Sequence, residues 1–265
     1  MPYQSEQEGS DSMKISIITA TYNSAATVRD TLNCIASQQF NNIEHIIVDG
    51  LSKDNTLEIV KEFPHVARLI SEKDKGIYDA MNKGVKLATG DIVGILNSDD
   101  FYTSPAVLEK VAAAFADPTV EAVYGDLQYV KQDNVEVVTR TWKSGKFRKK
   151  SLYYGWMPPH PTFFVRRHIY DKCGLFNVSL RSAADYELML RVLLKYDTHA
   201  RYIPEVLVKM RAGGMSNASF KNRLRANKED IMAWKLNDLR PYFFTTLLKP
   251  IRKILQFNPI KIWQK

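Results

Sequence analysis

The chain reads as an α/β protein, a mostly parallel sheet flanked by helices, with a helical amphipathic extension at its C-terminal end. Three observations predict this. Short β-rich apolar runs alternate with segments of helical periodicity as far as Val120. The runs end in Thr, Asn, Asp or Gly, the turn chemistry expected at the carboxyl ends of strands. One run, Ile92-Val93-Gly94-Ile95-Leu96, stops abruptly at Asn97-Ser98-Asp99-Asp100. A buried strand thus delivers carboxylates to the sheet edge where open α/β sheets bind ligands.

Taken in order, residues 1–12 are polar and aperiodic and read as a disordered or non-native leader. Lys14 to Thr19 is the first strand, Thr19-Ala20-Thr21-Tyr22-Asn23 its turn, and Val28, Leu32, Ile35 and Ala36 the apolar stripe of a helix. Ile43 to Val48 repeats the strand, Asp49 to Asp54 the turn, and Thr56 to Phe63 the helix, which Pro64 stops. Ala67 to Ile70 is a third strand. A helix over Ile77 to Leu87 is predicted to bury Ile77, Ala80, Met81, Gly84 and Leu87, and closes at Thr89-Gly90. Beyond the acidic turn come a strand at Val120 to Tyr124 and a hairpin of Leu127 to Val130 with Val135 to Thr141. A helix at Ala184 to Leu194, a strand at Arg201 to Val208 and a helix at Asn217 to Leu236 with Ser216 as N-cap complete the pattern. We read residues 13–215 as one domain, with a donor half to about 125 and an acceptor half after it, and 216–265 as the extension.

Composition narrows the class. The 265 residues are 45% hydrophobic, enough for a substantial core. Cys34 and Cys173 are the only cysteines and lie in separate apolar segments, which excludes a disulfide framework or a cysteine metal site. No apolar run approaches the roughly 20 residues of a membrane-spanning helix. The expectation is a cytoplasmic protein, peripheral on the cytoplasmic face of the inner membrane.

The acidic turn suggests chemistry. A hard divalent cation, Mn²⁺ or Mg²⁺, takes oxygen ligands and commonly one or two carboxylates while substrate phosphates complete its shell. Asp99 suits that role and would help neutralise a leaving diphosphate, whereas Asp100 is as readily a cap for the helix opened by Ser104-Pro105. A nucleoside diphosphate substrate would then be read from the ends of the earlier strands. Asp49 would accept from a base N–H, and Thr19, Thr21 and Asn23 would address ribose or base, although each is also an ordinary turn former.

Thr19 to Asn23, Val48-Asp49-Gly50-Leu51-Ser52-Lys53-Asp54-Asn55-Thr56 and Asn97-Ser98-Asp99-Asp100, in that order, resemble the serial motifs of the family 2 inverting glycosyltransferases with the GT-A fold. The resemblance runs from about Met13 to Met215. It implies a sugar-nucleotide donor, a divalent metal and displacement at the anomeric carbon with inversion. The family's Asp-x-Asp appears as Asn97-Ser98-Asp99, which leaves Asp99 with the metal and Asn97 and Ser98 on the donor. Asp74 to Gly84 is similar to an element of one subgroup, with Asp74, Tyr78 and Asn82 facing the donor; the alternative is a solvated helix start with an Asp79–Lys83 pair. Ala183 to Arg191 resembles the segment that supplies the general base, here Asp185, although an Asp in a first helical turn also serves as a plain cap. Glu187 and Arg191 are second choices after Asp185, with a structural ion pair as the favoured reading of the two. His160, in the Pro-rich stretch Trp156 to Phe163, would bind phosphate or orient the base, or simply pack a loop. Arg211, before Gly213-Gly214, would close on the diphosphate or mark a hinge.

Arg140 to Lys150 and Arg240 to Lys265 each carry six basic residues and no acid, and the second interleaves them with aromatic and aliphatic residues. That is the composition of an interfacial helix on an anionic membrane, with a packed helix or dimer contact as the alternative. No nucleic-acid module accompanies the charge. The leading expectation is transfer of one sugar, from a UDP-sugar, to a saccharide or polyprenyl-diphosphate-linked acceptor in envelope polysaccharide assembly. A sugar-phosphate nucleotidyltransferase and a non-catalytic sugar-binding or membrane scaffold are the alternatives.

Overall fold

Alternation along the first strand sets the architecture. In β1 (Ile15–Thr21), Ile15 and Ile17 point into one apolar cluster and Ile18 into another, because successive side chains leave opposite faces of a strand. Both faces are covered, so the strand is almost wholly buried. The computed structural model describes residues 13–213, 220–254 and 256. The leader and Ser216 lie outside them.

The elements that follow are α1 (Val28–Ala36), β2 (Ile43–Asp49), α2 (Thr56–Lys61), β3 (Val66–Ser71), α3 (Ile77–Leu87), β4 (Ile92–Ile95), β5 (Phe101–Tyr102), α4 (Val107–Phe115) and β6 (Ala122–Val130). Then come β7 (Val138–Trp142), α5 (Lys149–Tyr153), a 3₁₀ turn at His160–Thr162, β8 (Phe164–Arg166) and α6 (Arg167–Cys173). Next are α7 (Ala184–Leu190), which runs on as a π-turn to Lys195, and β9 (Ala200–Arg211). The helices α8 (Phe220–Leu236) and α9 (Thr245–Ile254) form the extension. The described strands make one sheet in the order β3-β2-β1-β4-β8-β6-β9-β5, with β7 paired to β6. The β3-β2-β1-β4 half is parallel, and β8 joins it antiparallel to β4. This is the α/β architecture expected from the alternation.

Three local expectations need correction. Ile77 is exposed instead of buried, because it sits in the first turn of α3 before the helix settles onto the sheet; Ala80, Met81, Gly84 and Val85 form the buried face. The separate runs Val120 to Tyr124 and Leu127 to Val130 are one bulged strand, β6, since its parallel partner β9 continues past both. Asp100 caps no helix: α4 begins at Val107 with Ala106 before it and has no side-chain cap.

The extension is packed on the body. The indole of Trp234, fully buried, donates to the Tyr186 hydroxyl at 2.9 Å, and Thr245 donates to the Tyr153 carbonyl at 2.6 Å. Both cysteines are free thiols.

Candidate functional site

The carboxyl ends of β1, β2 and β4 meet at one edge, since these strands are adjacent and parallel. Their turns are laced together by short polar side chains. Ser24 Oγ lies 2.9 Å from Ser98 Oγ, Asn23 takes Ser52 and Lys53 as partners, and Asp54 accepts from the Ala25 amide. Asn23 adopts φ 49°, a left-handed conformation that Asn tolerates.

The Asp49 turn is saturated with donors. Its carboxylate accepts from the Thr21, Ser52 and Ser71 hydroxyls and from the Ser52 amide. Burial pushes this carboxyl up, but those four bonds outweigh it and hold the pKa below the usual value. Asp49 is fully buried, so the structure gives it the work of organising the loop in addition to any contact with a base. Beside it, Gly50 lies against Asp74 and Tyr22: an added Cβ would come within 2.5 Å of Asp74 Oδ2, displacing that carboxylate, and 3.4 Å of the exposed Tyr22 ring. Asp74, Tyr22 and the Gly50 backbone are therefore neighbours at this strand end.

The Asn97–Asp100 turn has the opposite character. Asn97 Nδ2 donates to Asp100 Oδ2 at 2.8 Å, while Asn97 Oδ1 and Asp100 Oδ1 are buried with no hydrogen-bond partner among the described residues. Burial raises the Asp99 pKa, and burial with the Asp99 charge raises that of Asp100 well above the carboxylate range. The turn is pinned from outside: Thr31 donates to the carbonyls of Asn97 and Asp100, and Arg211 donates to the Asp99 carbonyl at 2.7 Å.

Across the site, Tyr78 on α3 donates its hydroxyl to Asp185 Oδ1 at 3.1 Å, at the first turn of α7. Its ring stacks on Phe176, which also receives the edge of His160. Burial lowers the His160 pKa, opposed by the Asp185 charge, so the imidazole is neutral near pH 7. Glu187 and Arg191 form the expected ion pair at 2.9 Å.

Three expected ligand groups have other work. Thr19 is fully buried and pairs with His45 Nε2 at 3.1 Å. Asn82 spends its amide on both main-chain groups of Phe176 and thereby fixes the ring that Tyr78 stacks on. Arg211 is buried, bonded to Asp30 and to the Asp99 carbonyl, and braces the acidic turn. Tyr129 escaped the sequence reading. Burial raises its pKa against the charge of Arg140, whose guanidinium lies 3.7 Å from its ring centroid, and the Asp100 and Asp185 charges act with burial. Its only signal was alternation along β6, which does not say what faces it.

The model of Glycosyl transferase family 2 matches residues 16–174, which takes in every strand end just described. This chain belongs to glycosyl transferase family 2. Asp185 lies beyond the matched residues. The family 2 chain is 34% identical over 208 residues to the PGL/p-HBAD biosynthesis glycosyltransferase of Mycobacterium bovis, covering 76% of this chain and 78% of that protein. It is 29% identical over 219 residues to the Escherichia coli UDP-Glc:alpha-D-GlcNAc-diphosphoundecaprenol beta-1,3-glucosyltransferase WfaP, covering 80% and 83%. Among solved structures it superposes on the S. aureus TarS 1-349 fragment in complex with UDP-GlcNAc with a TM-score of 0.66 at 20% identity, covering 85% of this chain. It spans 65% of that fragment. The likeness establishes the GT-A fold.

Proposed function

We propose that this family 2 enzyme is an inverting transferase that moves one sugar from a nucleoside-diphosphate sugar, a UDP-sugar, to a lipid-linked saccharide during envelope glycolipid or polysaccharide assembly. The observation that carries the reading is convergence. The turns after β1, β2 and β4 form one polar edge, and the Tyr78–Asp185 hydrogen bond joins that edge to a carboxylate from the far half of the chain. The names of the Mycobacterium bovis and E. coli relatives support an acceptor of this kind, and WfaP supports UDP.

Asp185 takes the proton from the acceptor hydroxyl as that oxygen bonds to the anomeric carbon, while the bond from that carbon to the diphosphate oxygen breaks on the opposite face. Tyr78 occupies one carboxylate oxygen and fixes its direction, leaving the other for the acceptor. Asp74, Gly50 and Tyr22 would hold the base, with Asp49 keeping their loop in shape. Among the described residues no three His, Cys, Asp or Glu side chains cluster as a ready-made cation cage. The acidic turn nevertheless fits Mn²⁺ or Mg²⁺. The Asp99 carboxylate and the unpartnered oxygens of Asn97 and Asp100 are an all-oxygen set, of the kind that substrate phosphates complete. The bound ion would supply positive charge to the departing diphosphate.

The test is UDP release from a panel of UDP-sugars with Mn²⁺ and a polyprenyl-diphosphate saccharide, comparing the unaltered chain with Asp185→Asn. Sugar transfer that Asp185→Asn abolishes, with donor binding retained, supports the reading. Pyrophosphate release from a nucleoside triphosphate would replace it with a nucleotidyltransferase, and donor binding without turnover with a sugar-binding scaffold.

A further inference from the structure

The C-terminal helix faces the wrong way for a helix that only packs on a soluble body. Thr245 is buried and donates to the Tyr153 carbonyl, and Lys249 turns inward, its amine 2.6 Å from Asp230 and 3.6 Å from the Tyr186 ring centroid. The helix lies so close to Gly155 (φ 73°) that an added Cβ would come within 2.6 Å of the Lys249 amide nitrogen. Solvent instead receives Leu247 and Ile251, four apart on one face of the helix and 62% and 51% exposed, and Phe243 in the turn before it, 91% exposed. Tyr242 and Tyr154 are exposed beside them and join an aromatic cluster through Phe244. Single exposed apolar residues need no explanation; a contiguous stripe of them does.

The fold also joins two segments that are remote in sequence. Gln256 O accepts from the Thr141 amide at 3.1 Å, and Tyr153 and Tyr154 pack on Tyr242. The acid-free segment Arg140–Lys150 is therefore tied at both ends to the acid-free segment that begins at Arg240. Lys149 of this segment pairs with Asp197, which leaves Lys143, Lys146, Arg148 and Lys150 as its other exposed cations. Apolar side chains aimed at solvent on a helix tied to an exposed basic segment are the chemistry of an interface with anionic lipid, in which rings and aliphatic groups enter the acyl boundary and cations meet headgroups. A nucleic-acid groove would need the stripe to be basic, and a self-association patch would not need the one-sided charge.

We propose that α9 and the Arg140–Lys150 segment together form one docking surface for an anionic bilayer. The transferase reading supplies only its purpose, since Lys249 and Trp234 connect this surface to Tyr186, the residue next to Asp185. Docking there would hold the base-bearing helix close to a lipid-borne acceptor.

The test is co-sedimentation of the full chain with phosphatidylglycerol-containing vesicles and with phosphatidylcholine vesicles, and it uses neither donor nor acceptor. A failed transferase assay therefore leaves it intact. Binding is expected with phosphatidylglycerol alone. It should fall at least tenfold in the triple variant Phe243→Ser, Leu247→Ser, Ile251→Ser, and should lose most of its salt dependence in Lys146→Glu, Arg148→Glu, Lys150→Glu. Val178→Ser, at an exposed apolar residue outside the surface, should bind normally. Absence of binding by the unaltered chain, or equal binding by all variants at unchanged melting temperature, overturns the proposal. So does a concentration-dependent dimer that the Ser variant abolishes while vesicles are ignored.

Discussion

Two acidic turns lie on neighbouring sides of one sheet edge, and they are built in opposite ways. Asp49 is buried among four donors and its pKa is held down; Asp100 is buried with Asn97 as its side-chain donor and, among the described residues, one oxygen without a partner, and its pKa is forced up. The same residue type at the same place in a β/α unit is thus finished in one turn and unfinished in the other. A saturated carboxylate is scaffold first, because its bonding capacity is already committed. An unsaturated cluster of oxygens is tolerated where a cation or a substrate group completes it.

The largest expected effect tests the unfinished turn. Asp99→Ala should lower turnover by roughly a hundredfold to a thousandfold, the usual cost of removing one stabiliser of developing charge. Its melting temperature should stay level or rise, since a carboxylate disfavoured by burial has been removed. Steady-state kinetics and a thermal melt on the same preparation check both halves. A large fall in stability would show that Asp99 is scaffold like Asp49.

Asp49→Ala should do the reverse. It strands the Thr21, Ser52 and Ser71 hydroxyls and the Ser52 amide, and a loss of about 3 kcal/mol in urea unfolding is expected, from the price of unsatisfied buried groups. Unchanged stability with weakened donor binding would mean that Asp49 is primarily a ligand group.

These assignments show what the sequence made legible. The strands and the three turn motifs were readable because their signals are local: alternation, helical period and turn residues within a few positions. The work of individual side chains was not, because their partners are distant. Asn82 meets Phe176 across 94 residues, Arg211 meets Asp30 across 181, and Tyr78 meets Asp185 across 107. Thr19 pairs with a histidine 26 residues on, which only the strand register makes its neighbour. The same limit hid the union of the two basic segments: each was visible, and nothing in either says that Thr141 lies against Gln256.

The contrast of finished and unfinished burial also runs along β2 itself. Glu44, near its start, is pushed up by burial but brought down to about 2 by bonds from Ser16 and Thr89 and by the Lys14 charge. His45, the next residue, is fully buried, and burial with the nearby His65 lowers it to about 3. The unfolded chain binds a proton at His45 below about pH 6.5, whereas the folded chain resists it down to about 3. Stability is therefore full above that range and falls with pH across it, by about 2 kcal/mol at pH 5. Glu44 acts in the same direction but only below about 4.5, so the two windows separate. Urea midpoints from pH 7 to 5 should fall more steeply for the unaltered chain than for His45→Gln, which keeps the contributions of the depressed His65 and His160 imidazoles; parallel slopes would remove His45 as the source.

The smallest effect concerns the one bond that bridges the two halves of the site. Tyr78→Phe keeps the ring on Phe176 and removes only the hydroxyl that donates to Asp185. If that bond aims the carboxylate, kcat should fall about tenfold, the value of one hydrogen bond to a charged group. KM for the donor should hold, because the residues proposed to grip the base and diphosphate are untouched. Equal losses in kcat/KM through KM alone would place Tyr78 on the donor, as a direct ligand, and would leave Asp185 to be oriented by its own helix. Retained kcat with Tyr78→Phe and lost kcat with Asp185→Asn would show that the first turn of α7 is rigid enough by itself, so that the acceptor half, like the Asp49 turn, is finished before any ligand arrives.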